Sequence, residues 1–485
     1  MNRLLQRDAP PLTSRIDQLR MNLPQIALVT LLSVTFMLGG SAKGGLAFTA
    51  ATQAAAGLAL GVAAITLRWR DLRGFSLPVA LACAGIILPA LQLIPLPPSL
   101  WQSLPGRDII ERIDQAAGLG PIWRPLTMAP PETMAALSAA LTPLAVLLLA
   151  VQLDGERHRR ILSLTLFAGG VSAIIGLMQL LGDAEGSLYL YASTNNGSAV
   201  GLFANRNHQA VALACLIPLT FAAAKLSMNG ASQGATGSRD DAAFERPGRR
   251  RQRTEWPMPM AITATCFLVP LVFVTGSRSG LMMTLVALAS LPFVLAGTAT
   301  PRKRAPSMPA SVWLKVAALV VIAVVGITIW LGRDVALDRL LASTPTDDLR
   351  LQMLPTLVGI AKEQWIWGTG LGSFERVYQI HEPARLLMAQ YVNHAHNDWL
   401  ELLITGGLPA AILAGIALAA VAVRAWQITF AKAHDPWQPL RRGALISIVV
   451  LCLASISDYP LRTPYLAAFM ALCAAWLFLP ARRLP

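Results

Sequence analysis

Apolar residues fall along this chain in runs close to bilayer length, separated by shorter polar or basic stretches. A helix rises about 1.5 Å per residue, so roughly 20 apolar residues cross a hydrocarbon core about 30 Å thick. By that measure the pattern predicts twelve helical spans, at 22–41, 45–67, 75–96, 132–152, 160–181, 207–226, 257–275, 280–299, 313–332, 399–423, 443–457 and 463–480. The expected fold class is an all-α integral membrane protein with about 12 transmembrane helices and a large, partly helical periplasmic loop between spans 9 and 10. The chain then divides into 1–332 with the first nine spans, the loop 333–398, and 399–485 with the last three. The first span follows about 20 polar and basic residues with no evident cleavage-type site, and reads as a retained helix. The spans show no internal repeat, and no pair of interrupted segments marks an inverted-repeat transporter.

Composition agrees with the pattern. Apolar residues make up 54% of the chain and charged residues 14%, whereas soluble domains carry roughly 25% charged residues. Charge then orients the spans. With the N-terminus in the cytoplasm, 27 of the 40 lysines and arginines fall in cytoplasmic segments, although the outer loops are longer. An even number of spans with both termini inside follows. Topology accounts for most of the net charge of +14 without nucleic acid as a partner. The segment 227–256, with its "RPGRRRQR", reads as a basic, disordered cytoplasmic linker. Cys83, Cys215, Cys266, Cys452 and Cys473 all fall inside predicted spans, as small apolar residues and not a disulfide or zinc framework.

Five polar clusters lie at the outer ends of spans. "GLFANRNHQA" carries Arg206, Asn207 and His208, "TGSRSG" carries Arg278, and "TDDLRLQMLP" carries Arg350. "HAHND" carries His394, His396, Asn397 and Asp398, and "SDYPLRTP" carries Asp458 and Arg462. Ionisable groups at membrane depth are costly, so their gathering on one side points to a site. Each cluster also has a plainer reading. Arg278 can snorkel to headgroups, Arg462 can pair with Asp458 four residues away, and His396 can cap a helix. Asp347 and Asp348 fit the first turn of a helix as complements to its dipole. "GTGLGSF" (368–374) follows no strand and reads as a tight turn rather than a phosphate loop. His394 and His396 form an H-x-H pair, but carboxylate or cysteine partners at ligand spacing are missing, and no metal or other cofactor is expected.

Arginines clamp phosphate oxygens bidentately and stay charged at any relevant pH. A neutral imidazole can take a proton from a hydroxyl. An outward-facing site with both suits transfer of a group from a lipid diphosphate to a hydroxyl, with guanidinium groups stabilising charge on the leaving diphosphate.

These residues resemble the O-antigen ligase and polymerase superfamily of bacterial envelope glycan enzymes, over roughly 190–410. "NHAHNDWLELLITGGLPA" looks like that family's signature through His396, Asn397, Gly407 and Ala410; the last position is usually Gly, Thr or Tyr there, so Ala410 is a departure. "TGSRSG" resembles the family's arginine before a span, and "RLQMLPTLVGIAKEQWIWGTGLGSF" its arginine-bearing loop helix and glycine turn. The resemblance implies a metal-independent, inverting glycosyltransferase of the bacterial inner membrane, active on the periplasmic face. Its donor would be a polyprenyl-diphosphate-linked glycan, and its acceptor lipid A-core or a growing glycan. Arg278 and Arg350 would bind the diphosphate and His396 would activate the acceptor, with Arg206, Asn207, His394, Asn397 and Arg462 as further contacts. Polymerisation of O-antigen or exopolysaccharide repeat units is the alternative within the class, and protein glycosylation a third acceptor choice. A glycolipid transporter or flippase is the alternative outside it, and would need charges along a path between both faces.

Overall fold

The computed structural model describes residues 12–43, 45–233, 258–296, 349–388, 392–430 and 435–480. The first helices are α1 (Leu12–Leu38), α2 (Leu46–Thr66) and α3 (Ser76–Gln92). A connecting segment follows with β1 (Pro95–Leu96), α4 (Pro98–Trp101), α5 (Asp108–Ala116) and β2 (Arg124–Pro125). The two strands pair antiparallel, Pro95 opposite Pro125. Next come α6 (Pro130–Ala150), α7 (Gly155–Leu181), α8 (Arg206–Gln233), α9 (Met258–Val274), α10 (Arg278–Ala289) and α11 (Leu291–Leu295). The last are α12 (Leu349–Gln364), α13 (Phe374–His381), α14 (Asp398–Thr429), α15 (Gln438–Ala454) and α16 (Pro464–Leu477).

Among the described residues six helices are long and apolar enough to cross a membrane: α2, α6, α7, α8 over Arg206–Met228, the α10–α11 pair over Arg278–Leu295, and α14. Shorter apolar helices accompany them at Asn22–Leu38, in α3, in α9 and in α16. A helix stands at eleven of the twelve expected positions; the ninth, 313–332, lies outside the described residues, as do Asp347, Asp348 and "RPGRRRQR".

The bundle is built around α8. Its apolar window is 83% buried, against 17% for α14, so α8 is central and α14 faces outward. Small residues on α8 make this possible, because Ala210, Ala214, Ala222 and Ala224 let neighbouring backbones approach closely. A Cβ on Gly443 of α15 would press on the Ala222 methyl and the Pro218 carbonyl. The Ser447 hydroxyl fastens the same pair of helices by donating to the Cys215 carbonyl at 3.0 Å.

α14 is interrupted. Gly407 has φ 62° and ψ −159°, a region open essentially to glycine, and Pro409 follows it. The interruption frees carbonyls that in a membrane protein must find other donors. Ile404 O accepts from Thr369 N at 3.0 Å, and Thr405 O accepts from Gly370 N at 2.9 Å and Gln92 Nε2 at 3.2 Å. The Leu408 N–H donates to Ile366 O at 3.1 Å. The "GTGLGSF" segment is therefore a packed turn against the interruption, with Gly368, Gly370 and Gly372 all at positive φ. Arg107 secures it from the other side, donating to Gly368 O at 3.2 Å and Leu126 O at 2.7 Å.

Residues before and after the interruption belong to different cores. Ile404 packs with Met353, Leu357, Ile360, Phe374, Val377, Tyr378 and Ala395 in a cluster separate from the main bundle. The loop's apolar core thus extends across the expected boundary at 398 into the first turns of α14. The remainder, 408–429, is about 33 Å of helix at 1.5 Å per residue, a full bilayer crossing.

Candidate functional site

The turn between α15 and α16 carries Asp458, whose side chain is 1% exposed. A carboxylate buried this deeply without partners would cost several kcal/mol, roughly the scale of a lost buried ion pair. It has partners from three other parts of the chain. Asn207 Nδ2 donates to Oδ2 at 2.7 Å. His396 Nδ1 lies 3.3 Å from Oδ1, and His208 Nε2 3.8 Å from the same oxygen. An Arg350 Nη is 3.6 Å from Oδ2, while the other Nη donates to Ser457 O at 2.7 Å. The Tyr459 N–H adds a bond to Oδ1 at 3.0 Å. Burial alone would raise the Asp458 carboxyl; the His396 hydrogen bond and the charges of His208, Arg350 and His396 outweigh it and hold it below the ordinary carboxylate range.

The approach to α14 delivers His396 to this carboxylate. Among the described residues His396 is the single non-glycine at positive φ, 50°. That conformation costs roughly 1–2 kcal/mol, so the surrounding contacts must hold it. The next residue, Asn397, is extended and caps α14, its side-chain oxygen accepting from Leu400 N at 3.0 Å. Helix capping therefore falls to Asn397, through its side-chain oxygen, and not to His396.

Two further carboxylates lie on the first turn of α14. Asp398 accepts from Arg462 Nε at 3.1 Å and Ser455 Oγ at 3.0 Å. Glu401, 1% exposed, lies 3.1 Å from His394 Nδ1 and 3.4 Å from an Arg462 Nη, and accepts from Ala395 N at 2.9 Å. Arg462 thus pairs with Asp398 and Glu401, not with Asp458 as its four-residue spacing suggests. The intervening Tyr459–Arg462 turn directs the two side chains to opposite clusters. Burial lowers the Arg462 guanidinium, but Glu401 and Asp398 outweigh it and raise it overall.

Tyr459 separates the two clusters. Its ring centroid is 4.4 Å from that of His394 and 5.0 Å from those of His208 and His396. Its hydroxyl bonds the side chains of Asn205 and Asn393, and burial, with Asp458 nearby, pushes it up to about 12, so it stays a neutral phenol. The two histidines of the H-x-H pair therefore turn to different carboxylates, His396 to Asp458 and His394 to Glu401.

Two arginines stand at helix beginnings: Arg206 and Arg278 are the first residues of α8 and α10. A cation there opposes the helix dipole by about 0.3–1 kcal/mol, the reverse of the usual preference. α10 is nonetheless well started, because the Ser277 hydroxyl accepts from Gly280 N at 3.0 Å. A Cβ on Gly280 would meet the Ala210 methyl, which places the start of α10 beside the first turn of α8. Arg278 is exposed and Arg206 half-buried.

Sequence reasoning assigned no role to Glu401 and Tyr459, and gave His208 none beyond its place in the cluster. A weak signal existed for Glu401: Asp398 and Glu401, three apart, share one helix face immediately after the histidines. Nothing local indicates that Tyr459 contacts all three imidazoles.

Residues 261–415 match the protein family described as O-antigen ligase. Among curated proteins none matches the chain. The matched segment contains Arg278, Arg350, His394, His396 and Asn397, whereas Arg206, Asn207, Asp458 and Arg462 lie outside it.

Proposed function

We propose, from the match of residues 261–415 to the family described as O-antigen ligase, that the protein transfers a glycan from a polyprenyl-diphosphate carrier to an acceptor hydroxyl, on the periplasmic face of the bacterial inner membrane. The observation that carries this reading is the contact of His396 Nδ1 with the buried Asp458 carboxylate at 3.3 Å, beside Arg350. An ionised Asp458 favours the tautomer with the proton on Nδ1, which leaves Nε2 as a proton acceptor. Nε2 takes the proton of the acceptor hydroxyl as its oxygen attacks the anomeric carbon. The bond from that carbon to the diphosphate oxygen breaks, the diphosphate leaves with the electron pair, and the anomeric centre inverts. Arg278 and Arg350 meet the charge that develops on the diphosphate, with Arg206 as a further contact. Asp458 and Asn207 act as positioning residues. In this scheme guanidinium groups supply the positive charge, so transfer should survive chelators; loss in EDTA restored by a divalent ion would overturn that part.

We favour a ligase acceptor, lipid A-core, with repeat-unit polymerisation as the alternative. The transporter reading is less well supported, because the carbonyls freed in α14 are closed by protein donors and not directed at a solute path.

The test is transfer by the purified protein in liposomes containing a polyprenyl-diphosphate glycan and an acceptor. His396→Ala should insert normally and transfer nothing; wild-type transfer by that variant would overturn the reading. In a deletion strain, polymer accumulated on the carrier identifies a ligase, and single repeat units on the acceptor a polymerase.

A further inference from the structure

α12 has two apolar faces. One is buried in the loop's own core through Met353, Leu357 and Ile360, each no more than 1% exposed. The other presents Leu351, Leu354 and Val358 outward, with Leu351 51% exposed, and Trp365, 45% exposed, follows directly after the helix. At 100° per residue these three helical positions fall within one sector about 60° wide, where a water-facing helix carries polar residues. Lys362 lies just outside that sector, about 20° beyond Leu351, and its long stem can run along apolar surroundings with its ammonium in the headgroups.

The outward face continues onto surface that meets lipid. The turn after α12 exposes Ile366 and Trp367, and the Ile366 carbonyl is bonded to Leu408 N, the first residue of the α14 crossing. Leu408 and Ile412 of that crossing are exposed in turn. The apolar stripe of α12 thus joins the lipid-facing side of α14 where that helix enters the bilayer, and Trp365 and Trp367 stand at the level where tryptophans favour the interface.

We propose that α12 is an in-plane interfacial helix, its outward face seated in the leaflet of the bilayer at the histidine end of the molecule. Its 16 residues cover about 24 Å of membrane surface. The helix carries Arg350, so this seating fixes Arg350 at headgroup depth. The inference stands on burial and continuity and is independent of the glycan-transfer reading.

The test uses single nitroxides at Leu354→Cys and Val358→Cys, with the five native cysteines replaced by alanine, in phosphatidylethanolamine–phosphatidylglycerol liposomes. Collision with oxygen should exceed collision with a water-soluble nickel chelate at both positions. Preferential collision with the chelate overturns the proposal, and so does protection from both, which would mean coverage by the 297–348 segment or by a second copy. If the cysteine-free protein does not fold, the native chain supplies a second measurement. Brominated acyl chains should quench the emission that W365F/W367F removes; equal fractional quenching of an unbrominated-lipid control and the brominated sample overturns it.

Discussion

Arg441 and Arg350 stand at opposite ends of the bundle and meet different partners. Arg441 donates to the Leu479 carbonyl through two nitrogens, at 2.9 and 2.5 Å, and pairs with Asp435. Its neighbours at that end behave likewise: Arg442 donates to the Phe293 carbonyl at 3.1 Å and to the Ala296 carbonyl, and Arg424 to the Leu477 carbonyl at 3.1 Å. All of these carbonyls close the C-terminal ends of helices, where orphan acceptors and the negative end of the dipole favour a cation. Arg206 and Arg278 begin α8 and α10, and Arg441 and Arg442 themselves lie in the opening turns of α15, so their own helix position does not separate the two ends. At one end the arginines close carbonyls of neighbouring helices; at the other, Arg350 and Arg462 meet buried carboxylates beside three histidines that surround Tyr459. The difference lies in what surrounds the carboxylate each arginine meets: Asp458, paired with Arg350, also meets His396, His208 and Asn207, whereas Asp435, paired with Arg441, is met by the Trp437 N–H. A groove of about 770 Å³ lined by Leu77, Ile416, Val423, Arg424 and Phe478 belongs to the Arg441 end and borders none of the histidines.

The sharpest way to break this comparison is to exchange loss at the two ends. His396→Ala and Asp458→Asn should each lower turnover by at least about 10²-fold, the scale of a positioned general base. Arg441→Ala should leave turnover per folded molecule unchanged and lower only the thermal midpoint. A loss of turnover at Arg441 matching that at His396 would dissolve the distinction. Arg278→Lys should cost about tenfold or more, since a point charge does not reproduce a planar bidentate donor; assay of transfer against donor concentration checks it, and near-normal rates return Arg278 to a headgroup anchor.

Gly407→Ala probes the coupling of the loop to α14. The conformation itself costs about 1–3 kcal/mol for alanine, and the added Cβ would lie 2.6 Å from the Ile366 carbonyl. A lowered midpoint together with greater proteolysis of 366–373 is the expected result in detergent solution. The smallest effect concerns pH. Because the folded Asp458 carboxyl is held below its ordinary range, its stabilisation is complete above the unfolded value near 3.9 and is lost as pH falls through the lower folded value. The difference in midpoint between wild type and Asp458→Asn should therefore be flat from about pH 5 to 8 and narrow below about pH 4.

Much of the helical order was legible from sequence, because bilayer-length apolar runs are a local signal that burial of backbone polar groups turns into helix. His396, Arg350 and Asn207 were nameable as chemistry-bearing residues for a similar reason: polar groups are conspicuous at the edge of apolar runs. The structure then distributes them unequally. Asn397 became a cap, and Arg462 turned to Asp398 and Glu401. The interruption at Gly407 was invisible inside an apolar run, since a positive φ leaves no trace in hydropathy.

The sequence by itself determined where helices form and which of their ends carry arginine and histidine, since both follow from residues adjacent in the chain. Tertiary structure alone decided which carboxylate each of those groups meets. His396 and Asp458 are 62 positions apart, and Asn207 and Asp458 are 251 apart. Pairings over such distances depend on how α8, α14 and α15 pack, and α8 can be central only because its small side chains let the others close around it.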